Sequence, residues 1–135
     1  MSIKAELNNL RETFILFEDP KDKFVQLMDM AKKSDGLSKM EKIDPNKIDG
    51  CTSQAWVVAD SNDDGTYTFR ADSDALIVRG LLTILERTFS GQPTDDILAM
   101  NSDDILHEVG LDNSITSQRT NGFSSAIVKI QDLVR

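Results

Sequence analysis

The amino-acid pattern predicts a mixed fold in which helices surround one small antiparallel sheet, and three observations carry that expectation. Apolar residues near the N-terminus recur at steps of four and three, the signature of an amphipathic helix. Two runs rich in β-branched and aromatic residues, Ala55-Trp56-Val57-Val58 and Thr66-Tyr67-Thr68-Phe69-Arg70, flank the turn-forming stretch Asp60-Ser61-Asn62-Asp63-Asp64-Gly65. After them the segment from Asp72 to Phe89 is the most apolar of the chain.

Each element follows in order. Ile3, Leu7, Leu10, Phe14 and Phe17 share one helical face, and Asp19-Pro20 ends that helix. Pro20, with φ already fixed, suits the first turn of a second helix, whose inner stripe is Phe24, Leu27, Met28 and Ala31 and which stops before Gly36. Residues 34–46 lack periodicity and read as a surface loop leading to Cys51. The hairpin comes next. Ala75, Leu76, Ile77, Val78, Leu81, Leu82, Ile84 and Leu85 then wrap most of a helix, which must be covered on several sides. Gly80 in its middle lowers helix propensity by about 1 kcal/mol relative to Ala, a cost accepted where another backbone comes close. Gly91 and Pro93 stop the helix; Thr94 or Asp95 caps a short one, and Ser102 or Asp103 another that ends near Gly110. A last helix carries Phe123, Ile127, Ile130 and Val134 inward, starting at Ser117 or after Gly122.

Length and charge bound the function. With 135 residues the chain is expected to form one domain, 1–135, large enough for a core without disulfide staples. Its 15 basic and 23 acidic side chains leave a net charge of −8, which repels phosphate backbones and anionic bilayers, so neither nucleic acid nor membrane is an expected partner. No apolar run approaches the ~20 residues of a spanning helix. Lys4, Glu6 and Arg11 interrupt any signal-peptide core, and the expected setting is cytoplasmic. One Cys and one His cannot make a four-ligand zinc site or an internal disulfide.

Several motifs have plain structural explanations. Asp60-x-Asn62-x-Asp64-Gly65 resembles the first half of an EF-hand loop, but position twelve is Ala71 rather than Glu, and turn chemistry explains the same residues. The pairs Asp72/Asp74, Asp95/Asp96 and Asp103/Asp104 fall at expected helix starts, where carboxylates meet the positive end of the dipole. His107 has no nucleophile elbow to serve. Cys51 differs through its setting: Gly50 before it permits a sharp bend, and Thr52-Ser53-Gln54 after it offers donors for a sulfur anion. Residue chemistry alone reaches a candidate reactive thiol and stops there.

The stretch Ile48-Asp49-Gly50-Cys51-Thr52-Ser53-Gln54-Ala55-Trp56 closely resembles the G-C-x-S-x-x-W hallmark of the SufE family, sulfur acceptors in iron–sulfur cluster assembly. Asp72-Ser73-Asp74-Ala75-Leu76-Ile77-Val78-Arg79-Gly80-Leu81-Leu82 is similar to the family's S-D-A-x-I-V-x-G-L, and Ser117-Gln118-Arg119-Thr120-Asn121-Gly122 agrees in order and spacing. Between Leu37 and Lys47 only Pro45 stands where many relatives are proline-rich, which bears on loop shape and partner choice. The resemblance implies an α+β fold: a small curved antiparallel sheet with helices packed largely on one side, like the U-type cluster scaffolds.

It also implies an activity. A pyridoxal-phosphate cysteine desulfurase forms a persulfide, the SufE-like partner takes the outer sulfur on its cysteine, here Cys51, and passes it to a cluster-assembly scaffold. The chain itself needs no cofactor or metal, acts as a transpersulfuration partner rather than a stand-alone enzyme, and is expected as a monomer or weak homodimer. Transfer is a thiol–disulfide exchange whose rate follows thiolate fraction, nucleophilicity and access. A free thiol with pKa near 8.5 is only a few per cent ionised at pH 7. Arg119 is the candidate stabiliser, because the family motif brings it near the cysteine loop; an exposed helix-start residue or surface ion pair is the opposing reading. A carried persulfide needs shelter, so Cys51 is expected to rest against apolar side chains and swing outward on docking. Trp56 and Gly80 are expected to serve packing. The competing functions are a non-catalytic acidic adaptor, in which Cys51 merely packs, and a cluster-bearing scaffold, for which one cysteine is too few.

Overall fold

The computed structural model describes residues 2–50, 53–112 and 114–135. Helix α1 spans Ile3–Phe14 and α2 Pro20–Lys33; after a 3-10 turn at Asp44–Asn46 come strands β1, Ala55–Ser61, and β2, Tyr67–Ser73. Helices α3 (Leu76–Phe89), α4 (Thr94–Leu98), α5 (Ser102–Val109) and α6 (Ser117–Val134) complete the chain. Helices and one open two-stranded antiparallel sheet make this an α+β fold, as expected.

The elements form where local chemistry favours them. Ser2 caps α1 through its side chain to the Ala5 amide, and Asp19 does the same for α2 at Lys21, with Pro20 in the first turn. The buried face of α1 is Ile3, Leu7, Leu10 and Phe14; the helix stops there, so Phe17 lies beyond it and is only half-buried. In α2 the inner residues are Leu27, Met30 and Ala31, while Phe24 and Met28 are half-buried, because the stripe leans toward α3 and leaves Met28 on its edge.

At the hairpin, Asn62 donates to Thr66 through both its amide and its side-chain nitrogen, Asp64 accepts from the Thr66 amide, and Gly65 takes φ +85°, the turn chemistry expected in place of a calcium loop. Register pairs Ala55 with Ser73, Trp56 with Asp72, Val57 with Ala71 and Ser61 with Tyr67. The strand therefore runs through Asp72 and Ser73, and α3 starts only at Leu76, with Ala75 as a cap that makes no side-chain bond. The expected helix from Asp72 is thus shorter, and Asp72/Asp74 do not cap it: Asp72 is consumed by the sheet and by an ion-pair cluster.

The free edge of β2 is closed by α3, whose Ser90 hydroxyl accepts from the Phe69 amide at 2.9 Å and whose Glu86 carboxylate accepts from the Ala71 amide at 2.6 Å. Helix α3 packs against α1, α2, α6 and β2, which explains its broad apolar surface. A Cβ on Gly80 would stand 2.3 Å from the Leu27 carbonyl oxygen, so the expected close crossing is the contact of α2 with α3.

Short elements follow the expected positions with different caps. Helix α4 begins at Thr94 after Pro93 without a side-chain cap, and α5 is capped by Asn101, whose oxygen accepts from the Asp104 amide. Gly110 ends α5 in the left-handed region. Helix α6 starts at Ser117, capped by Thr116, so Asn121 and Gly122 lie inside it. No helix among the described residues is long and apolar enough to cross a membrane.

Candidate functional site

Cys51 and Thr52 lie outside the described residues, so the site is defined by what surrounds the segment that carries them. The chain enters it through residues 34–46, the surface loop the sequence suggests, which is pinned at several points. Leu37 is buried, and its amide donates to Asp72 at 3.0 Å; Lys42 reaches the same carboxylate at 3.1 Å and lies 5.7 Å above the Trp56 ring. Glu41 pairs with Arg70, and Lys129 of α6 donates to the Pro45 carbonyl at 2.7 Å. Asp72 is only 4% exposed yet stays ionised. Burial opposes its charge, but donors from Leu37, Lys42 and Ser73, with Arg79 nearby, outweigh it and hold the carboxyl below its usual range.

The two ends of the segment are fixed. On the entry side Ile48 is buried, its amide donates to the Ala55 carbonyl at 2.8 Å, and Lys47 bridges to Trp56. Gly50 has φ +82°, and a Cβ there would lie 2.8 Å from the Ser125 hydroxyl of α6. On the exit side the Gln54 carbonyl accepts two bonds, from the Ser73 hydroxyl at 2.8 Å and the Asp74 amide at 3.1 Å. Trp56, 9% exposed, anchors the strand behind the loop, as expected.

Beyond Gln54 a groove of about 460 Å³ is lined by Ser53, Met28, Leu76, Val78, Thr116 and Arg119, among others. Arg119 is therefore brought to the same groove as Ser53, two residues after the cysteine, and its guanidinium lies 5.9 Å from the centre of the Phe24 ring. Among the described residues the lining contains no carboxylate, and Arg119 is its charged side chain, so on an acidic protein this groove presents a local positive charge between apolar walls. The expected shelter of Cys51 against apolar side chains concerns a residue outside the described ones.

Other sequence candidates lie elsewhere. His107 is exposed and bonds Asp112 at 3.0 Å, which raises its pKa; this pairing across the α5 terminus was not readable from spacing. Asp95/Asp96 and Asp103/Asp104 occupy first helical turns, as expected. Among the described residues no group of three or more His, Cys, Asp or Glu is arranged to hold a metal ion. Sequence reasoning missed Asp72 and Ser73 as parts of the site; the signal was their place inside the second motif, read as a helix start.

The family model described as "SufE: Fe-S metabolism associated domain" matches residues 8–134. The chain belongs to the SufE family. An uncharacterized SufE-like protein of Rhizobium etli is 33% identical over 131 residues, covering 95% of this chain and 88% of that protein. A SufE-like protein of Synechocystis is 32% identical over 130 residues, covering 96% of this chain and 80% of its own length. The solution structure of a hypothetical protein from Thermus thermophilus superposes with a TM-score of 0.76 at 19% identity, covering 96% of this chain and 93% of the other, and shares the fold. As a SufE-family member, this chain has a role in Fe–S metabolism.

Proposed function

We propose that this SufE-family chain, as one acceptor domain over 1–135, takes sulfane sulfur from a cysteine desulfurase as a persulfide on Cys51, stimulates that enzyme, and passes the sulfur to an iron–sulfur cluster assembly scaffold. The observation that carries the reading is the setting of the chain's single cysteine: the residues before its segment are held by Ile48 on Ala55 and those after it by Ser73 on Gln54, beside a groove that holds Arg119.

In the transfer the Cys51 thiolate attacks the terminal sulfur of the donor persulfide. The new S–S bond forms on Cys51 as the old one breaks, and the donor cysteine leaves as a thiolate, with no net oxidation. Arg119 is the residue to favour the thiolate and persulfide anions, since a guanidinium nearby stabilises negative sulfur. No cofactor of its own is required. A reducing, cytoplasmic setting suits a carrier that works as a free thiol, and a monomer or weak homodimer suffices.

The test is incubation with a cysteine desulfurase and cysteine, followed by intact-mass measurement. The expected product carries one added sulfur on Cys51, and Cys51→Ser loses both the sulfur and the stimulation while still binding. A Cys51→Ser protein that stimulates as well as the parent refutes the reading in favour of a non-catalytic acidic adaptor.

A further inference from the structure

We propose that the groove between α1 and the α4–α5 corner is a docking site for a short cationic, amphipathic segment of a partner protein. The groove holds about 510 Å³. Its floor is apolar: Ile3 and Leu7 of α1, both buried, and Met100, half-buried in the turn between α4 and α5. Its rim is acidic, with Asp96 from α4 and with Asp104 and Glu108 one turn apart on α5. Lys4 is the basic side chain of this lining.

The rim carries charge that the fold does not use. Among the described residues Lys4, Asp96 and Glu108 make no ion pair, and the Asp104 carboxylate accepts from the Asn101 side-chain amide. Arg11 reaches this face from α1, but it donates to the Glu108 carbonyl at 3.3 Å. The charge is also regional: Ser90 to Asp112 holds six Asp or Glu and no Lys or Arg, which is −6 of the chain's net −8. Phosphate groups and anionic lipids are repelled by such a rim, and a neutral apolar surface would bury its carboxylates without counterions. A segment with one apolar side chain between lysines or arginines satisfies floor and rim together. The carboxylates themselves are not arranged to hold a metal ion among the described residues. This groove shares no lining residue with the one at Ser53 and Arg119, so the proposal stands apart from sulfur transfer.

The probe is a fluorescein-labelled synthetic peptide that repeats Leu-Lys-Lys-Leu, compared with one in which every Lys is Gln. Fluorescence anisotropy with the full chain should show one-to-one binding of the lysine peptide, weakened about tenfold or more between about 0.05 M and about 0.5 M salt, and much weaker binding of the glutamine peptide. Asp96→Lys/Glu108→Lys should weaken the lysine peptide about tenfold or more. Glu18→Lys/Asp63→Lys changes the net charge equally at exposed positions outside the groove and should stay within about twofold of the parent. Equal losses in the two double variants reduce the effect to net charge and overturn the proposal, as does a glutamine peptide that binds as well. A chain that sediments as a dimer, dissociated by Asp96→Lys/Glu108→Lys, puts a second copy in the groove and overturns the partner assignment. If that double variant does not fold, amide shifts on titrating the unmodified chain with the lysine peptide decide. Shifts centred on Leu7, Ala99, Met100 and Glu108 support the groove, and shifts centred elsewhere refute it.

Discussion

Replacing Gly80 by Ala tests the packing on which the site depends, and its outcome opposes what helix propensity alone would give. An added Cβ would lie 2.3 Å from the Leu27 carbonyl oxygen, 2.8 Å from the carbonyl carbon and 3.0 Å from the Leu27 Cβ. Cβ atoms do not approach others closer than 3.0 Å, so α2 and α3 must part by at least 3.0 − 2.3 = 0.7 Å, and the obstacle is backbone that cannot rotate away. A gap of that size forfeits a quarter to a half of each facing dispersion contact, which over buried Leu27, Leu81 and Ile84 amounts to about 3 kcal/mol. Better helix propensity returns about 1 kcal/mol, leaving a net loss of about 2 kcal/mol. With an unfolding entropy of about 2.1 cal/mol/K per residue, or about 0.28 kcal/mol/K for the chain, the midpoint falls by about 7 °C. Calorimetry or circular dichroism reads it. A Tm unchanged or raised by Gly80→Ala would refute the reasoning.

Three further outcomes follow from the charges around the site. Asp72→Asn should destabilise by about 3 kcal/mol, measured by urea titration, because it leaves Arg79 and the Leu37 amide without their buried anion; a loss below about 1 kcal/mol would contradict the structural role of the Asp72 ion-pair cluster. Because the Asp72 pKa is depressed, that contribution is present above its unfolded pKa and is lost as pH falls through the folded one. Glu86 behaves oppositely: burial pushes its carboxyl from 4.5 up to about 6 against the Ala71 amide and Arg79, so the stability linked to its proton is full below 4.5 and lost as pH rises through about 6. Glu86→Gln should then stabilise by about 1 kcal/mol at pH 8, a figure reduced for its partial exposure, and by nothing at pH 4; equal effects at both would sink the argument. Arg119→Ala should slow iodoacetamide alkylation of Cys51 about threefold at pH 7, an effect at the low end for a half-exposed cation. An unchanged rate would assign Arg119 to its Phe24 contact alone.

What the sequence made legible was whatever obeys local periodicity. The α1 face from Ile3 to Phe14, Asp19-Pro20 as a helix start, the hairpin turn and the crossing at Gly80 all follow from residues within one turn or one strand of each other. Asp72 escaped because a carboxylate followed by Ser, Asp and an apolar run reads equally well as a helix cap; only pairing with Trp56, which is distant in sequence, shows that it belongs to β2. The pinning of the surface loop 34–46 was not legible for a related reason. Its order comes from Leu37, Glu41, Lys42 and Pro45 meeting Asp72, Arg70 and Lys129, contacts that span tens of residues and leave no period behind. Within the candidate site, Gly50 and Arg119 carried motif signals, whereas Ser73 and Ser125 are visible only once α6 and β2 are packed on either side of the cysteine segment.

The anchors also limit how sulfur can be delivered. Gly50 sits against Ser125, and Gln54 is held by Ser73 and Asp74, so four backbone steps separate the two fixed points. At about 3.6 Å per residue that is at most ~14 Å of chain, and Cys51 is a single residue from Gly50. A carrier on so short a tether cannot bridge separated active sites, as a long flexible arm would. Donor and recipient must each bring their sulfur chemistry to the same few residues around Cys51, and they must do so in turn. The expected outcome is competition: a cluster scaffold that binds this chain should displace the desulfurase in a pull-down or fluorescence titration. A stable ternary complex in which both partners exchange sulfur with Cys51 would refute the short-tether argument and require one anchor, at Ile48 or at Gln54, to release during turnover.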